Sequence, residues 1–336
     1  MIEWEAGVPV TIRDVAREAK VSVATVSRAL SSPHQVNQAT RERVLAIADQ
    51  FGYRPSPAAR SLITGKTGNI GLVMPDLANP FFTGVLKNVQ SRAHQSGYGV
   101  FIGDSDEDPA VEEELVRSMA KQVDGVLLCS PGIKDSQITA LAQNTTLVLL
   151  NRRVRGISAA LMDSAGGMRQ SIEHLAALGH KRIAFLSGPR ASWSNKHRLR
   201  GLRAAVEKTN VEVVTLGPFA PRYSGGVQAA DLVLAEKVTA IIAYNDIMAL
   251  GALARFHERG IDVPGELSLS SFDDLVYAAV SAPTLTTVAM PVDAAGRLAV
   301  ELLLSRLSDP GSPVVHQELP TQLIVRGTTG KPPRTR

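Results

Sequence analysis

The chain has a single cysteine and no long run of apolar residues. With only Cys129 among 336 residues, an intrachain disulfide is impossible. The apolar neighbours of Cys129 predict a small hydrophobic side chain buried in a strand. No stretch of about 18 apolar residues exists, which disfavours a membrane span. The first ten residues hold two acids and no base, the wrong charge for a secretory signal. We therefore expect a cytoplasmic protein without a membrane partner.

The common motifs of catalysis and metal binding are also missing. The seven histidines show no HxxxH pair and no spacing with cysteine that would suit a zinc ion. The sequence has no Walker A lysine motif, no G-x-G-x-x-G fingerprint and no G-x-S-x-G nucleophile elbow. We therefore expect no metal and no cofactor. An enzyme is the least favoured class, although general-base and nucleophilic chemistry stay open.

Basic residues are concentrated near the start of the chain, although the net charge is only +4. Residues 11–66 carry nine Lys and Arg against four Asp and Glu, and the longer remainder is close to neutral. A basic segment on a neutral body suits contact with phosphates at one end of the protein. A solvated basic face would give the same charge distribution.

Residues 11–30, TIRDVAREAKVSVATVSRAL, predict two short helices joined by a tight turn. Thr11 and Asp14 form a helix-start pair, and the apolar residues after Thr11 fall at helical spacing. Ser22 is a suitable N-cap for the second helix, which exposes small and polar residues as far as Arg28. These properties suit a recognition helix in the DNA major groove. A generic helical hairpin is the less favoured alternative for this stretch.

A third helix and a short linker follow. Asn37 can cap a helix that Gly52 ends, which completes a headpiece of three helices. The apolar side chains expected on its helices are Ile12, Val15, Ala16, Ala19, Val26, Leu30, Val44, Leu45, Ala48 and Phe51. Ser56 and Pro57 then start a brief helix, shorter than the ~12–15 residues that an isolated helix needs in water. It should form only against a partner, and an ordinary linker is the alternative.

From Ile70 onward, apolar strand runs alternate with amphipathic helices. The predicted strands are 70–74, 99–102, 125–128, 147–150, 183–186, 211–216, 240–243 and 267–271. The predicted helices are 81–95, 110–121, 165–178, 198–209, 225–235, 247–259 and 292–307. This alternation predicts parallel sheets flanked by helices. The strands are too numerous for one typical sheet, so we predict an α/β unit with two lobes.

Polar and aromatic residues follow six of these strands, where ligands bind in open α/β sheets. The clusters contain Asp76, Asn79, Phe81, Phe82, Asn151, Arg152, Arg153, Ser192, Trp193, Ser194, Arg198, Arg222, Tyr223, Tyr244, Asn245, Asp246 and residues 270–274. Aromatic faces beside amides, carboxylates and arginine suit a polar ring such as a sugar or a nucleobase. Each cluster alone is more often a helix cap or a satisfied loop.

Together these residues resemble the lactose-repressor (LacI/GalR-type) family of bacterial transcription regulators. The resemblance rests on residues 11–30, on FGYRPSPAARSL, and on GLVMPDLANPFF, AYNDIMALG, SFDD and PTLTTV. It implies a DNA-binding repressor with a helix-turn-helix headpiece (10–55), a hinge helix and linker (56–66) and a two-lobed sensor (67–327) similar to periplasmic sugar-binding proteins. Lobe 1 would comprise about 68–165 and 293–318, lobe 2 about 166–290 and 319–327, and 328–336 would be a disordered tail.

The resemblance also implies partners: double-stranded DNA with a pseudo-palindromic operator, a second copy of the chain in a homodimer, and a small polar effector, with a sugar favoured. The DNA-binding residues would be Thr11, Ser22, Val23, Ala24, Thr25, Ser27, Arg28, Tyr53, Ala59 and Leu62. Each Leu62 would wedge into a central base step of the minor groove. The effector-binding residues would be Asp76, Phe81, Ser194, Arg198, Tyr223, Asn245 and Asp273.

Two features depart from the family pattern. Ser271 stands where the family more often has glycine, which bears on the local turn that places Asp273. No leucine heptad follows Gly327, so a dimer is expected rather than a tetramer. Two alternative functions stay open: a cytoplasmic small-molecule-binding protein without DNA regulation, and a doubly wound enzyme acting on a sugar or nucleoside.

Overall fold

A computed structural model describes residues 10–31, 35–53 and 65–333, and the chain divides into two compact units after Gly68. The first unit has helices α1 (Ile12–Glu18), α2 (Val23–Ser31) and α3 (Gln38–Gln50). The Asp14 carboxylate accepts the backbone N–H of Thr11 at 3.0 Å and its hydroxyl at 2.6 Å. The predicted start pair is therefore present at the beginning of α1.

The headpiece core follows the predicted apolar pattern with one exception. The side chains buried at its centre are Val15, Ala16, Ala19, Val26, Ala29, Val44 and Ala48. Half-buried Ile12, Leu30, Phe51 and Tyr53 pack around them. The placement of Leu45 in the core was wrong, because its side chain is 39% exposed. It directly follows buried Val44 on α3, and neighbouring helical positions point about 100° apart.

The second unit alternates strands and helices, as the sequence predicts. Its strands are β1 (Asn69–Met74), β2 (Gly99–Asp104), β3 (Gly125–Cys129), β4 (Thr146–Leu150), β5 (Ala159–Met162), β6 (Arg182–Leu186), β7 (Glu212–Leu216), β8 (Ala240–Ala243), β9 (Ser268–Asp273), β10 (Thr286–Ala289), β11 (His316–Leu319) and β12 (Gln322–Ile324). Its helices are α4 (Pro80–Gln95), α5 (Pro109–Met119), α6 (Asp135–Ala142), α7 (Ser164–Leu178), α8 (Trp193–Thr209), α9 (Tyr223–Val233), α10 (Asp246–Glu258), α11 (Val276–Val280) and α12 (Val292–Ser308).

Two six-stranded sheets form the two lobes of this unit. The lobe 1 sheet has the order β11-β5-β4-β3-β1-β2, and all its neighbouring strands are parallel. The lobe 2 sheet has the order β12-β10-β9-β8-β6-β7, in which only the pair of β10 and β12 is antiparallel. The chain passes between the sheets after β5, after β10 and after β11. Loops at the carboxyl ends of both sheets therefore face one cleft between the lobes.

Residues 328–333 are folded, which corrects the prediction of a disordered tail at these positions. The buried hydroxyl of Thr328 donates to the Leu269 carbonyl at 2.6 Å and accepts the Thr286 N–H at 2.8 Å. The Gly330 carbonyl lies 3.0 Å from Nε2 of buried His180. The polar composition of the tail suggested disorder, but its polar groups pair with buried groups of lobe 2.

Across the described residues, no helix combines the length and apolar character needed to cross a membrane. Cys129 is buried in β3, and burial raises the pKa of its thiol to about 12. The prediction of a small buried hydrophobic side chain at this position is confirmed.

Candidate DNA-reading helix and effector cleft

The exposed start of α2 carries the residues predicted to read DNA. The Ser22 hydroxyl accepts the N–H of Thr25 at 3.1 Å and so caps the helix. Val23, Ala24 and Arg28 are exposed, whereas Thr25 and Ser27 are half-buried. The Arg28 Nε donates to the Ala24 carbonyl at 3.2 Å, which leads its side chain back along the exposed first turn. One guanidinium and two small apolar side chains therefore form the accessible face.

Four further DNA-binding candidates lie at the start of the headpiece, at its end or beyond it. Tyr53 packs half-buried against the headpiece core, and burial raises the pKa of its phenol. Thr11 is exposed at the start of α1. Ala59 and Leu62 lie outside the described residues, as does most of the predicted hinge.

The cleft between the lobes contains a cavity of about 90 Å³. Its lining comes from the segments after β1, β2, β3 and β4 in lobe 1, from the segments after β6, β7, β8 and β10, and from the end of β9 in lobe 2. The polar and aromatic residues of this lining are Asn79, Phe81, Phe82, Glu107, Glu112, Ser130, Asn151, Ser192, Ser194, Arg198, Tyr244, Asn245 and Asp273. The rule that ligand groups follow parallel strands located this cavity correctly.

The structure brings five of the seven predicted effector residues to the cavity, namely Phe81, Ser194, Arg198, Asn245 and Asp273. Asp76 and Tyr223 are not part of the lining. The Asp76 carboxylate forms an ion pair with Arg222, and Tyr223 is 50% exposed at the start of α9. The amide of Asn245 caps α10 and also donates to the Pro221 carbonyl at 2.9 Å. Its binding to an effector stays a prediction.

Arg198 is buried between two aromatic rings at the floor of the cavity. Its guanidinium carbon lies 4.0 Å from the centroid of the Phe272 ring and 4.5 Å from that of Tyr244. Its Nη1 donates to the Tyr244 carbonyl, whereas its buried Nε has no hydrogen-bond partner among the described residues. Burial lowers the pKa of Arg198, and the nearby Tyr244, Asp273 and Asp246 oppose this effect.

A glycine makes room for the Tyr244 ring. A Cβ atom at Gly188 would lie 2.4 Å from this ring, closer than any van der Waals contact permits. The Tyr244 hydroxyl is within 2.9 Å of the Ser192 hydroxyl, which fixes the direction of the ring. Gly188 therefore allows lobe 2 to present an aromatic face to the cavity.

Asn151 connects the two lobes at the cavity wall. Its Nδ2 lies 2.8 Å from the Ser194 hydroxyl in lobe 2 and 3.2 Å from the Ser130 hydroxyl in lobe 1. Its buried Oδ1 has no hydrogen-bond partner among the described residues. Ser130, Asn151 and Asp273 all have positive φ angles, of 47°, 60° and 117°. Such backbone conformations are costly for residues other than glycine, and they concentrate at binding sites.

Asp273 is held in place by a buried polar network behind it. The Asp246 carboxylate accepts the Ser271 hydroxyl, the Thr287 hydroxyl at 2.6 Å and the Leu275 N–H at 2.8 Å. Burial raises the pKa of Asp246 to about 6. Burial raises the pKa of Asp273 well above its usual value, the Asp246 charge adds to this, and Arg198 opposes it. The serine at position 271 thus contributes a hydroxyl that glycine would lack.

Three polar lining residues of lobe 1 were not predicted from the sequence. Ser130 directly follows β3, and Glu107 follows β2 by three residues, so the strand-end rule could have found both. Glu112 gave no such indication, because it lies one turn into α5. Its Oε2 accepts the Gly132 N–H at 2.9 Å, and burial raises its pKa. The part of the chain that the structure describes holds no cluster of three potential metal ligands.

The chain combines a helix-turn-helix unit with a two-lobed α/β unit that contains a cleft. This combination defines a class of DNA-binding regulators that carry a ligand-sensing domain. The comparisons with known proteins give the family. A family model described as "Bacterial regulatory proteins, lacI family" matches residues 11–56, and one described as "Periplasmic binding protein-like domain" matches residues 172–329.

Curated relatives match along nearly the whole chain. The ribose operon repressor of Halalkalibacterium halodurans is 34% identical over 322 residues, which cover 95% of this chain and 97% of the relative. The transcriptional repressor CytR of Escherichia coli is 32% identical over 327 residues, which cover 95% of this chain and 96% of the relative. The chain belongs to the lacI family of bacterial regulatory proteins. It is a DNA-binding transcriptional regulator and not an enzyme.

Solved structures agree with this assignment. The lac repressor dimer bound to operator and the anti-inducer ONPF superposes with a TM-score of 0.85 at 29% identity, covering 96% of this chain and all of that chain. The complex of the transcriptional regulator CelR with cellobiose gives a TM-score of 0.70 at 30% identity, covering 95% of this chain and 99% of that chain.

Proposed function

We propose that the chain is a homodimeric, cytoplasmic repressor whose affinity for operator DNA is controlled by a sugar bound between the lobes. The observation that carries this proposal is the chemistry of the cavity. Buried acceptors on Asn151 and Asp273 and a buried donor on Arg198 surround aromatic faces. A sugar hydroxyl both donates and accepts, so a single ring can pair with all three groups while its C–H face packs on an aromatic ring.

The size of the cavity favours a small effector. The cavity volume of about 90 Å³ is several times the ~10–15 Å³ that a single water molecule needs. This volume suits one sugar ring better than a disaccharide. Similarity to the ribose operon repressor and to an Enterococcus faecium LacI family regulator with bound ribose supports the same class of ligand.

Two headpieces of the homodimer would bind the two half-sites of a pseudo-palindromic operator. The Arg28 guanidinium suits a bidentate contact with guanine, and exposed Val23 and Ala24 suit thymine methyl groups. Residues 56–66 would form the hinge, in which Ala59 and Leu62 enter the minor groove. Effector binding would favour one arrangement of the lobes and so change the stability of the DNA-bound hinge. A coupling of about 1–3 kcal/mol is enough for such control.

Two measurements test the proposal. Footprinting of the full chain on DNA upstream of its own gene should protect a pseudo-palindrome, and a chain that protects none at low salt would refute operator binding. A thermal-shift screen with pentoses, hexoses, disaccharides and nucleosides should show a rise in melting temperature with a monosaccharide, because occupancy stabilises the folded state. A response confined to nucleosides would overturn the sugar assignment and leave the regulator intact.

A further inference from the structure

Arg222 joins the two lobes of the sensor outside the lining of the effector cavity. It is the N-cap residue of α9 in lobe 2. Its Nε lies 3.2 Å from Oδ2 of Asp76, and its Nη2 pairs with Oδ1 of Asp106. Both carboxylates belong to lobe 1. We propose that these three residues, the Arg222 latch, hold the lobes closed and set how readily the cleft opens to an effector.

The two acids of the latch are carried by loops that are joined to each other. Asp76 follows β1 and Asp106 follows β2, which are neighbouring strands. The Glu107 N–H donates to the Pro75 carbonyl at 2.7 Å, and the Leu77 N–H donates to the Asp104 carboxylate at 3.1 Å. A force on either acid is therefore transmitted to both loops. Pro75 and Glu107 also line the cavity, so the latch acts on its lobe 1 wall.

On the lobe 2 side, Arg222 is equally fixed to the cavity wall. Its carbonyl accepts the N–H of Gly225 at 3.0 Å within the first turn of α9. The carbonyl of the preceding Pro221 accepts the amide of Asn245, which caps α10. Pro221 and Asn245 both line the cavity. The latch thus spans the cleft between two pieces of its wall, and movement of either wall must stretch its ion pairs.

The charges around Arg222 explain why a cation is needed at this point. Asp76, Asp106 and Glu107 approach it from lobe 1. Burial and the Asp76 carboxylate raise the pKa of Glu107, whereas the Arg222 charge lowers it. The hydrogen bond that Arg222 donates to the Asp106 carboxylate raises the pKa of Arg222 itself. Replacing this cation by an acid would turn attraction between the lobes into repulsion.

The effect should be moderate and sensitive to salt. The side chains of Arg222 and Asp106 are 47% and 80% exposed, whereas that of Asp76 is only 10% exposed. Exposed ion pairs change an equilibrium by about 1.4- to 5-fold, and a partly buried partner adds to this. We expect the latch to shift the lobe equilibrium by about two- to tenfold. Screening at high salt should weaken it, since the Debye length falls to about 3 Å in 1 M salt.

Trp193 provides a reporter that needs neither DNA nor effector. It starts α8 in lobe 2, stacks on His197 at 3.5 Å and packs against the apolar cluster of lobe 1 that contains Val73 and Val116. Opening of the cleft should expose it and shift its emission to the red. The other tryptophan is Trp4, so a Trp4→Phe background makes Trp193 the sole emitter. Small-angle scattering of the same samples gives an independent measure of opening.

The test compares three variants with this background. Arg222→Glu should shift the emission to the red and enlarge the scattering radius, more so in 20 mM than in 1 M NaCl. Adding Asp106→Arg should restore both values, because the exchanged charges attract again. Arg255→Glu is the matched control, since Arg255 pairs with Asp231 and Glu258 inside lobe 2 and should change neither value.

Two results would overturn the latch: Arg222→Glu indistinguishable from the control, or a double variant that stays open. If Arg222→Glu folds poorly, Asp106→Arg is the second variant, because the Asp106 side chain is largely exposed. It places a cation next to Arg222 and should open the cleft by itself. Any effect on operator affinity rests on the proposed function. The latch is measured without DNA, and operator binding is measured by footprinting of the unmodified chain. A negative result for the latch is therefore distinguishable from a negative result for operator binding.

Discussion

The guanidinium of Arg198 stacks on the ring of Phe272, with 4.0 Å between the guanidinium carbon and the ring centroid. Arg198 is buried, yet among the described residues it makes no ion pair. A desolvated cation–π contact is worth about 2 kcal/mol or more, which offsets part of the cost of burying this charge. The guanidinium is therefore positioned by aromatic rings, and its Nε stays available for a ligand.

Arg198→Leu should separate ligand binding from stability. Leucine removes the buried charge together with its desolvation cost, which offsets the lost cation–π contacts, so we expect the free energy of unfolding to change by about 1 kcal/mol or less. The thermal shift caused by the sugar found in the screen should disappear. Arg182→Leu, a surface change at the start of β6, should keep that shift. Retention of the full shift by Arg198→Leu would exclude Arg198 from the effector site.

Asp246→Asn should change how stability depends on pH. Burial raises the pKa of this carboxyl to about 6 from its ordinary value of 3.8. Between these values the folded chain keeps a proton that the unfolded chain has lost. The stabilisation from this group is therefore fully present below about pH 4 and is lost as the pH rises through about 6.

The size of this effect follows from the difference between the two pKa values. About two pKa units correspond to roughly 3 kcal/mol. Asparagine cannot titrate, so Asp246→Asn lacks this pH dependence. The wild type should therefore gain about 3 kcal/mol of unfolding free energy relative to the variant when the pH is lowered from 7 to 4. Urea denaturation at several pH values measures this difference. Parallel stability curves for the two proteins would show that Asp246 is ionised at its ordinary pKa.

The sequence predicts eight of the twelve strands in the described part of the chain, from the buried β3 and β4 to the more exposed edge strands β2 and β7. β3 and β4 are continuous apolar runs, which is typical of the centre of a parallel sheet. In contrast, four short strands were not predicted: the buried β5 and β10, and the edge strands β11 (His316–Leu319) and β12 (Gln322–Ile324), which contain polar residues. The pairing of β11 with β5 and of β12 with β10 joins residues more than 30 positions apart. A local pattern carries no information about such contacts.

The candidate site shows the same limit. Arg198 and Asp273 follow or flank buried strands, and their position in the fold suffices to bring them to the cleft. Asp76 also follows a strand, but its carboxylate is taken by Arg222, which is 146 positions away. Glu112 reaches the cavity from a helix. Local patterns can indicate which residues lie at the cleft, whereas their hydrogen-bond partners require the structure.

Thr328→Val should destabilise the sensor by about 1–3 kcal/mol. The change keeps the shape of the side chain but leaves the Leu269 carbonyl and the Thr286 N–H buried without partners. Thr139→Val removes an exposed hydroxyl on α6 that donates to the Asp135 carbonyl, and it should cost less than about 0.5 kcal/mol. Thermal unfolding followed by circular dichroism compares the two variants. Equal losses would argue that residues 328–333 add nothing to lobe 2.

Arg28→Ala should relax the base preference of the headpiece at one position of each half-site. Loss of a bidentate contact with guanine should weaken binding to the preferred operator by about 1–3 kcal/mol. Binding to an operator with another base at that position should not weaken, because the contact is not made there. Competition gel shifts with a set of single-base operator variants measure this. Arg43→Ala on α3 is the matched loss of charge and should leave the order of preference unchanged. An unaltered order of preference in Arg28→Ala would reject the base contact.

Leu62→Ala should weaken binding to the operator far more than binding to unrelated DNA. The proposed wedge opens a base step only in the specific complex, whereas binding to unrelated DNA depends on phosphate contacts that leucine cannot make. Gel shifts at a fixed salt concentration, with operator and with random DNA of equal length, give the two affinities. Leu45→Ala, at a partly exposed leucine of α3, controls for a general effect of losing a leucine. The wedge role requires that the ratio of operator affinity to random-DNA affinity falls. An equal loss of both affinities would contradict it and would indicate that Leu62 supports the folding of the headpiece.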